Sequence, residues 1–153
     1  MRIGFGNDIH RLAEGRPLYL GGVVLPYEKG ALAHSDGDVL IHALIDAILG
    51  ALAMGDIGTF FPPEDDKYKD ISSKMLLQEI LDRTTPRFLN IDMVVTLEGF
   101  KLKPYIKEIR ESLSNLLSLD IDRISLKAKT NEGLDALGES RAIKAEVVVL
   151  LDN

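Results

Sequence analysis

The spacing of hydrophobic residues along the chain predicts which segments form strands and which form helices. Apolar and polar residues alternate, or apolar residues run together, in six segments that predict β-strands: residues 2–10, 18–20, 23–25, 91–97, 124–129 and 141–151. Apolar residues at helical spacing predict three helices: from Val39 to a stop at Gly55, over Ile71–Thr84, and from Pro104 to about Leu117. Gly21-Gly22 predicts a two-residue hairpin turn. Residues 26–30, 56–70 and 130–140 are predicted as loops.

This order of elements predicts an α+β fold, a two-layer sandwich in which helices cover one face of a mixed β-sheet. The 153 residues suffice for one domain with its own core, so we expect a single domain over residues 1–153. The segment Val147–Leu151 is wholly apolar, as expected of a strand that is central or covered by an interface. The uncovered sheet face predicts an oligomer that packs sheet against sheet.

Composition and charge limit the classes of partner that the protein is expected to bind. The formal net charge of −6 argues against a nucleic acid or an anionic membrane as partner. The chain has no cysteine, which excludes disulfides and thiolate metal sites and suits a reducing compartment. The N-terminus lacks a signal pattern, and His42 and Asp46 interrupt the longest apolar stretch. We therefore expect a cytoplasmic protein without a membrane segment.

All three histidines lie in the first third of the chain, which points to a metal site. Asp8 and His10 are two residues apart and share one face of a strand, and His42 lies on the first helix. Two imidazoles and one carboxylate suit zinc, with a fourth position open for a substrate atom or water. The same ligand set suits non-haem iron. A purely structural role also fits this spacing, in which His42 lies on a helix, has its hydrogen bonds satisfied within the protein and binds no metal.

Asp38, His42 and Asp46 form one polar stripe at i, i+4 and i+8 on an otherwise apolar helix. Uncompensated carboxylates would be costly on such a helix. The ring nitrogen of a metal-bound histidine that does not bind the metal commonly donates a hydrogen bond to a carboxylate or carbonyl. We therefore expect Asp38 or Asp46 to accept such a bond from His42. Helix capping by Asp38 and simple exposure of Asp46 are the competing interpretation.

Phosphate-binding residues are less distinct in this sequence. No Walker loop is present, but Lys101, Lys103 and the segment 127–132 place cations, hydroxyls and one carboxylate at predicted strand ends. Glu132 suits a hard cation such as magnesium that bridges phosphates. A solvated basic loop accounts for the same residues without any ligand.

Several segments together carry a resemblance to one family. They are residues 2–10 with Asp8-x-His10, Gly21-Gly22, residues 25–30 and 33–38, His42-Ala43 with Asp46, residues 55–58 with Phe61-Pro62, and residues 127–132. In these segments, and essentially from end to end, the chain resembles the 2-C-methyl-D-erythritol 2,4-cyclodiphosphate synthases of non-mevalonate isoprenoid biosynthesis. The stretch from His34 to His42 is highly specific to that family.

The resemblance implies an enzyme, a phosphorus–oxygen lyase. It would convert 4-diphosphocytidyl-2-C-methyl-D-erythritol 2-phosphate to 2-C-methyl-D-erythritol 2,4-cyclodiphosphate, with release of CMP. The 2-phosphate attacks the β-phosphorus of the same molecule, so holding the two groups together removes part of the barrier, roughly 7–11 kcal/mol in favourable cases. The resemblance also implies a homotrimer with active sites between subunits and a central apolar channel, which is a possible site for an isoprenoid ligand.

The resemblance implies roles for individual residues. Zinc, or another divalent transition metal, would be held by Asp8, His10 and His42, and Mg2+ or Mn2+ by Glu132. His34 and Thr130 match catalytic positions. The positions that match substrate contacts are Ser35, Asp56, Ile57, Gly58 and Phe61. The positions that match the cytidine diphosphate pocket are Phe100, Lys101, Leu102, Lys103, Ala128, Lys129, Thr130 and Asn131.

The sequence departs from the family pattern in two places, and two other functions are weighed against the synthase. Glu139 stands where the family has arginine and Arg141 where it has an acidic residue, so the charges are exchanged near the expected channel mouth. Phe100 and Lys129 replace smaller or hydroxyl residues in the base pocket. The alternatives are a zinc phosphohydrolase that uses a bound water, and a non-enzymatic trimer that binds isoprenoid or nucleotide ligands.

Overall fold

The computed structural model describes residues 1–153 and contains seven strands and five α-helices. The strands are β1 (Arg2–Glu14), β2 (Leu18–Leu20), β3 (Val23–Leu25), β4 (Lys29–Leu32), β5 (Phe88–Thr96), β6 (Ile124–Lys129) and β7 (Ala142–Leu151). The helices are α1 (Val39–Ala51), α2 (Ile57–Phe60), α3 (Ser73–Thr84), α4 (Ile106–Leu117) and α5 (Asp135–Gly138). Short 3-10 turns lie at Asp66–Tyr68, Lys103–Tyr105 and Ile121–Arg123.

The main sheet has five strands in the order β4-β1-β7-β5-β6. Strand β7 pairs antiparallel with both β1 and β5, β1 pairs antiparallel with β4, and β5 pairs parallel with β6. The sheet is therefore mixed, and β7 lies at its centre, as its apolar sequence predicted. Strands β2 and β3 form a separate hairpin around Gly21-Gly22, which confirms the predicted turn.

Helix α1 lies unusually close to strand β1. A Cβ atom on Gly4 would lie 1.9 Å from the carbonyl oxygen of Ala47, and one on Gly6 would lie 2.0 Å from that of Ala43. Any side chain at these two glycines would push the helix away from the sheet. The contact brings the strand that carries Asp8 and the helix that carries His42 together, backbone against backbone.

The opposite face of the sheet is largely uncovered. On β1 the side chains of Ile3, Phe5 and Ile9 are 72%, 58% and 53% exposed. In register beside them on β7 lie Leu150, next to Ile3, and Val148, next to Phe5. An apolar patch of this kind on a sheet is typical of an interaction surface. None of the helices combines the length and the apolar character needed to cross a membrane.

Three predicted loops contain regular structure instead. Strand β4 begins at Lys29 inside the segment predicted as a loop, and it pairs with the end of β1, which continues to Glu14 rather than stopping at His10. Residues of β4 do not alternate, so tertiary pairing rather than local pattern determines this strand. Helices α2 and α5 have four residues each, which is too short for a helical period to be visible in the sequence.

Candidate functional site

Three side chains converge where β1 meets α1. Asp8 and His10 project from one face of β1, and His42 projects from α1. Asp8 Oδ2 lies 2.9 Å from His10 Nε2 and 3.1 Å from His42 Nδ1. The two imidazole nitrogens lie 3.2 Å apart. The predicted meeting of strand and helix residues in one cluster is confirmed.

The spacing of these three atoms fits a tetrahedral metal ion. Ligand atoms about 2.0–2.1 Å from such an ion lie roughly 3.3 Å from one another. The observed separations of 2.9–3.2 Å are close to that value, and one nitrogen of each imidazole is used. Three protein ligands would leave a fourth position for a substrate atom or a water. The donor set therefore suits a divalent transition metal.

The residues of the cluster shift one another's pKa values. Burial would raise the pKa of Asp8, but hydrogen bonds and charge from His10 and His42 outweigh it and lower this pKa to about 2. Burial would lower the pKa of His42, but the Asp8 carboxylate outweighs it and raises this pKa. Without metal, the site therefore favours an ionised Asp8 beside a readily protonated His42, and a metal ion would displace that proton.

The two carboxylates expected behind His42 make their hydrogen bonds elsewhere. Asp38 is fully buried and accepts from the backbone N–H groups of Gly21 at 2.9 Å, Gly22 at 2.7 Å and Ile41 at 3.0 Å. It caps α1, as the competing interpretation held, and burial raises the pKa of its carboxyl. Asp46 accepts from the N–H of Ile57 at 2.7 Å, and burial raises its pKa as well.

Two serines lie at the second nitrogen of His42 instead. Nε2 lies 2.9 Å from Ser73 Oγ and 3.1 Å from Ser35 Oγ. Ser73 in turn contacts Asp36. Sequence reasoning did not link Ser73 with His42, because the two residues are 31 positions apart and nothing local connects them.

A cavity of about 280 Å³ opens beside the cluster. The residues of its lining that the sequence singled out are Asp8, His10, His34, Ser35, His42, Asp46, Ile57, Gly58 and Phe61. The predicted substrate residue Asp56 does not line it. Asp56 instead caps α2, where its carboxylate accepts from the backbone N–H and the hydroxyl of Thr59, both at 2.9 Å, and these bonds lower its pKa.

A second, smaller cavity of about 180 Å³ lies at the ends of β5 and β6. Its lining includes seven of the eight residues predicted for the nucleotide, namely Phe100, Lys101, Leu102, Lys103, Ala128, Lys129 and Thr130. The Phe100 ring lies between those of Tyr27 and Tyr105, with centroids 5.0 and 5.5 Å away. This stacking fixes the large side chain that the sequence marked as a departure.

The loop after β6 is organised by a residue that sequence reasoning missed. Glu98 accepts hydrogen bonds from the backbone N–H groups of Asn131 at 2.8 Å and Gly133 at 3.2 Å. The Asn131 side chain, the remaining predicted nucleotide residue, donates to the carbonyl of Leu134 at 2.9 Å. Glu132 lies between these anchors, exposed and with a positive φ of 52°. Its carboxylate is thus presented by a tightly held backbone.

The exchanged charges form a pair with each other. Arg141 Nη2 lies 2.7 Å from Glu139 Oε2, and both side chains are exposed. Nearby, Lys29 Nζ donates to the carbonyl of Ser140 at 3.0 Å. An exposed pair of this kind contributes little to stability, so its effect is on local charge rather than on the fold.

The fold and the cluster define an α+β protein with a two-histidine, one-carboxylate metal-binding arrangement. The model of the YgbB family matches residues 1–152. The 2-C-methyl-D-erythritol 2,4-cyclodiphosphate synthase of Gloeobacter violaceus is 52% identical over 155 aligned positions, covering 99% of this chain and 95% of that protein. The synthase of the same name from Syntrophomonas wolfei is 48% identical and covers 99% of each chain. This chain belongs to the YgbB family.

Solved structures agree with that membership. A CDP-bound 2C-methyl-D-erythritol-2,4-cyclodiphosphate synthase superimposes with a TM-score of 0.90 at 47% identity, over 99% of this chain and 100% of that chain. The IspF–CDP complex of Plasmodium falciparum superimposes with a TM-score of 0.82 at 35% identity, over 98% of this chain and 94% of that one.

Proposed function

We propose that this chain is a 2-C-methyl-D-erythritol 2,4-cyclodiphosphate synthase, a cytoplasmic enzyme formed by a single domain over residues 1–153. It cyclises 4-diphosphocytidyl-2-C-methyl-D-erythritol 2-phosphate and releases CMP. The observation that carries the proposal is the convergence of Asp8, His10 and His42 on one point at the edge of a cavity. Relatives that share about half of its residues carry the synthase name.

Asp8, His10 and His42 would hold Zn2+, and Glu132 would hold Mg2+ or Mn2+. When bound, such ions would neutralise phosphate charge and orient the reacting groups, which is Lewis-acid and template catalysis. His34 and Ser35 line the cavity beside the cluster and would position the methylerythritol 2-phosphate there. No nucleophilic side chain is needed, because the attacking oxygen belongs to the substrate.

The second cavity would take the cytidine diphosphate part. Lys101, Lys103 and Lys129 are among the residues that line it, and their positive charges would complement the negative charge of a diphosphate. Thr130 adds a hydroxyl that can donate to a phosphate oxygen. The CDP in the related solved structures supports a nucleotide diphosphate as the ligand class.

We further propose that the active enzyme is a homotrimer with its sites between subunits. The two cavities share no lining residue. They draw on β1 and β6, which are three strand spacings apart in the sheet, about 14 Å. The exposed side chains Ile3, Phe5 and Ile9 supply an apolar surface for packing sheet against sheet, and a central channel there would be apolar.

Product analysis tests the proposed reaction. Purified protein with Zn2+ and Mg2+ is given the substrate, and phosphorus NMR follows the products. We expect a cyclic diphosphate and an equal amount of CMP. Release of inorganic phosphate with a linear product would instead show that the protein is a phosphohydrolase. Absence of any turnover would favour a non-enzymatic protein that binds the ligand.

The His42→Ala variant tests the centre within the same assay. We expect loss of both bound zinc and turnover, because two ligands remain where three are needed. The Arg141→Ala variant is the matched control, since that side chain is exposed and lines neither cavity. Unchanged zinc in the His42→Ala variant would contradict the assigned centre.

A further inference from the structure

The far side of the His42 ring has an ordered environment of its own. Nδ1 faces Asp8 and His10, and Nε2 lies 2.9 Å from the hydroxyl oxygen of Ser73. Ser73 is fully buried and is the first residue of α3. A metal ligand and a helix start are thus joined through one hydroxyl, although neither residue's local sequence requires it.

The direction of this hydrogen bond follows from the partners of Ser73. Asp36 Oδ2 accepts from the backbone N–H of Ser73 at 2.9 Å, and Asp36 Oδ1 accepts from that of Asp38 at 3.1 Å. Because both carboxylate oxygens face N–H donors, Asp36 acts as an acceptor and takes the hydroxyl hydrogen of Ser73. The Ser73 oxygen can then only accept from His42, so Nε2 is the nitrogen that carries a proton.

The Asp8 carboxylate favours the opposite position of the His42 ring proton, on Nδ1. Its Oδ2 lies 3.1 Å from Nδ1, where it would stabilise a proton on that nitrogen. A proton on Nδ1 would occupy the lone pair that a metal ion needs. Ser35, the other neighbour of Nε2, accepts from the N–H of Gly37 at 3.2 Å and has no carboxylate to fix its hydroxyl, so it can donate or accept. Only the Ser73–Asp36 pair specifies the direction.

We propose that Ser73 and Asp36 are positioning residues that keep the proton of neutral His42 on Nε2, so that the Nδ1 lone pair is free for the metal. The proposal rests on the metal centre of the proposed function and adds to it the groups that prepare one ligand. A ligand histidine commonly donates its second N–H directly to a carboxylate, a backbone carbonyl or a water, whereas here a buried serine lies between the ring and the Asp36 carboxylate.

The variant Ser73→Ala tests the role with little disturbance. It removes the hydroxyl but keeps the backbone N–H that Asp36 binds. Ser72→Ala is the matched control, because Ser72 precedes Ser73 and its side chain makes no capping hydrogen bond. Asp36→Ala is a second variant, which leaves the Ser73 oxygen in place but frees its hydrogen to point at Nε2.

The first measurement is nitrogen NMR of histidine-labelled, metal-free protein at a pH where the His42 ring is neutral. We expect the proton on Nε2 in the wild type and in Ser72→Ala. In Ser73→Ala and Asp36→Ala we expect it to move toward Nδ1, where Asp8 attracts it. A loss of packing alone would not exchange the two nitrogens in this way.

The second measurement is zinc affinity by competition with a chelator. We expect roughly 10–100-fold weaker binding in Ser73→Ala and unchanged binding in Ser72→Ala. Wild-type affinity in Ser73→Ala, or weaker binding with the proton still on Nε2, would overturn the proposal. A wild type that carries the Nε2 proton but binds no zinc would contradict the proposed function while supporting this arrangement of His42.

Discussion

Replacement of Asp38 by alanine tests how the helix that carries His42 is held. The Asp38 carboxylate is fully buried and joins α1 to the β2–β3 hairpin through three backbone N–H groups. Loss of the cap on Ile41 costs about 1 kcal/mol. A buried N–H left without a partner at Gly21 costs a further 1–3 kcal/mol, roughly. Gly22 is less buried and can be solvated, so it adds little.

The sum for Asp38→Ala is a loss of about 3 kcal/mol in the free energy of unfolding. This is a large part of the 5–15 kcal/mol that is roughly typical of a domain. Removal of a buried carboxylate also recovers desolvation energy, which keeps the expected loss near the middle of the range. Asp38→Asn retains one oxygen acceptor and should lose less than half as much.

Urea unfolding of chelator-treated protein at one fixed concentration measures this effect. With a urea dependence of roughly 1–3 kcal/mol per molar, the midpoint should fall by about 1.5 M in Asp38→Ala. Asp56→Ala is the control, because this exposed carboxylate caps only the four-residue helix α2, and its midpoint should stay close to that of the wild type. A loss of less than about 1 kcal/mol in Asp38→Ala would refute the reasoning.

Three further predictions concern the metals, the pH dependence and the assembly. Glu132→Gln should impair turnover with zinc still bound, and equal rates at saturating magnesium would contradict its role. In metal-free protein, the stability from the Asp8–His42 pair should be complete between pH 3.8 and pH 6.5, the ordinary pKa values. It should fall toward pH 2, the lowered pKa of Asp8, and also as pH rises through the raised pKa of His42, and urea unfolding of Asp8→Asn should lack both slopes. Phe5→Asp should dissociate the trimer in light scattering, whereas Leu134→Asp, at an exposed loop position, should not.

The sequence predicted those parts of the fold that have a clear period. The helix that starts at Val39 and the strand that ends at Leu151 were found because their apolar positions repeat over more than two turns or pleats. Strand β4 and helices α2 and α5 were missed, since their conformation depends on partners distant in sequence or on only four residues. The α1 helix ends at Ala51, before the predicted stop at Gly55.

The ligand cluster was predictable, whereas its support was not. Asp8 and His10 lie two apart on a strand, and histidines are rare in this chain, so residue type and spacing suggested the cluster. They left a structural role for His42 open, and the family resemblance favoured the metal site. The stripe with Asp38 and Asp46 suggested carboxylates behind His42, but their oxygens bind backbone N–H groups. Ser73 takes that place because α3 packs against α1, a tertiary contact that no local pattern encodes.

The close approach at Gly4 and Gly6 has a consequence for the calorimetry of metal uptake. Strand and helix touch through their backbones, so the two parts of the cluster are already in place before an ion arrives. When the ion binds, few residues should have to become ordered, and little apolar surface should become buried. Isothermal titration with zinc should therefore give a heat-capacity change near zero, unlike metal sites whose binding is coupled to folding.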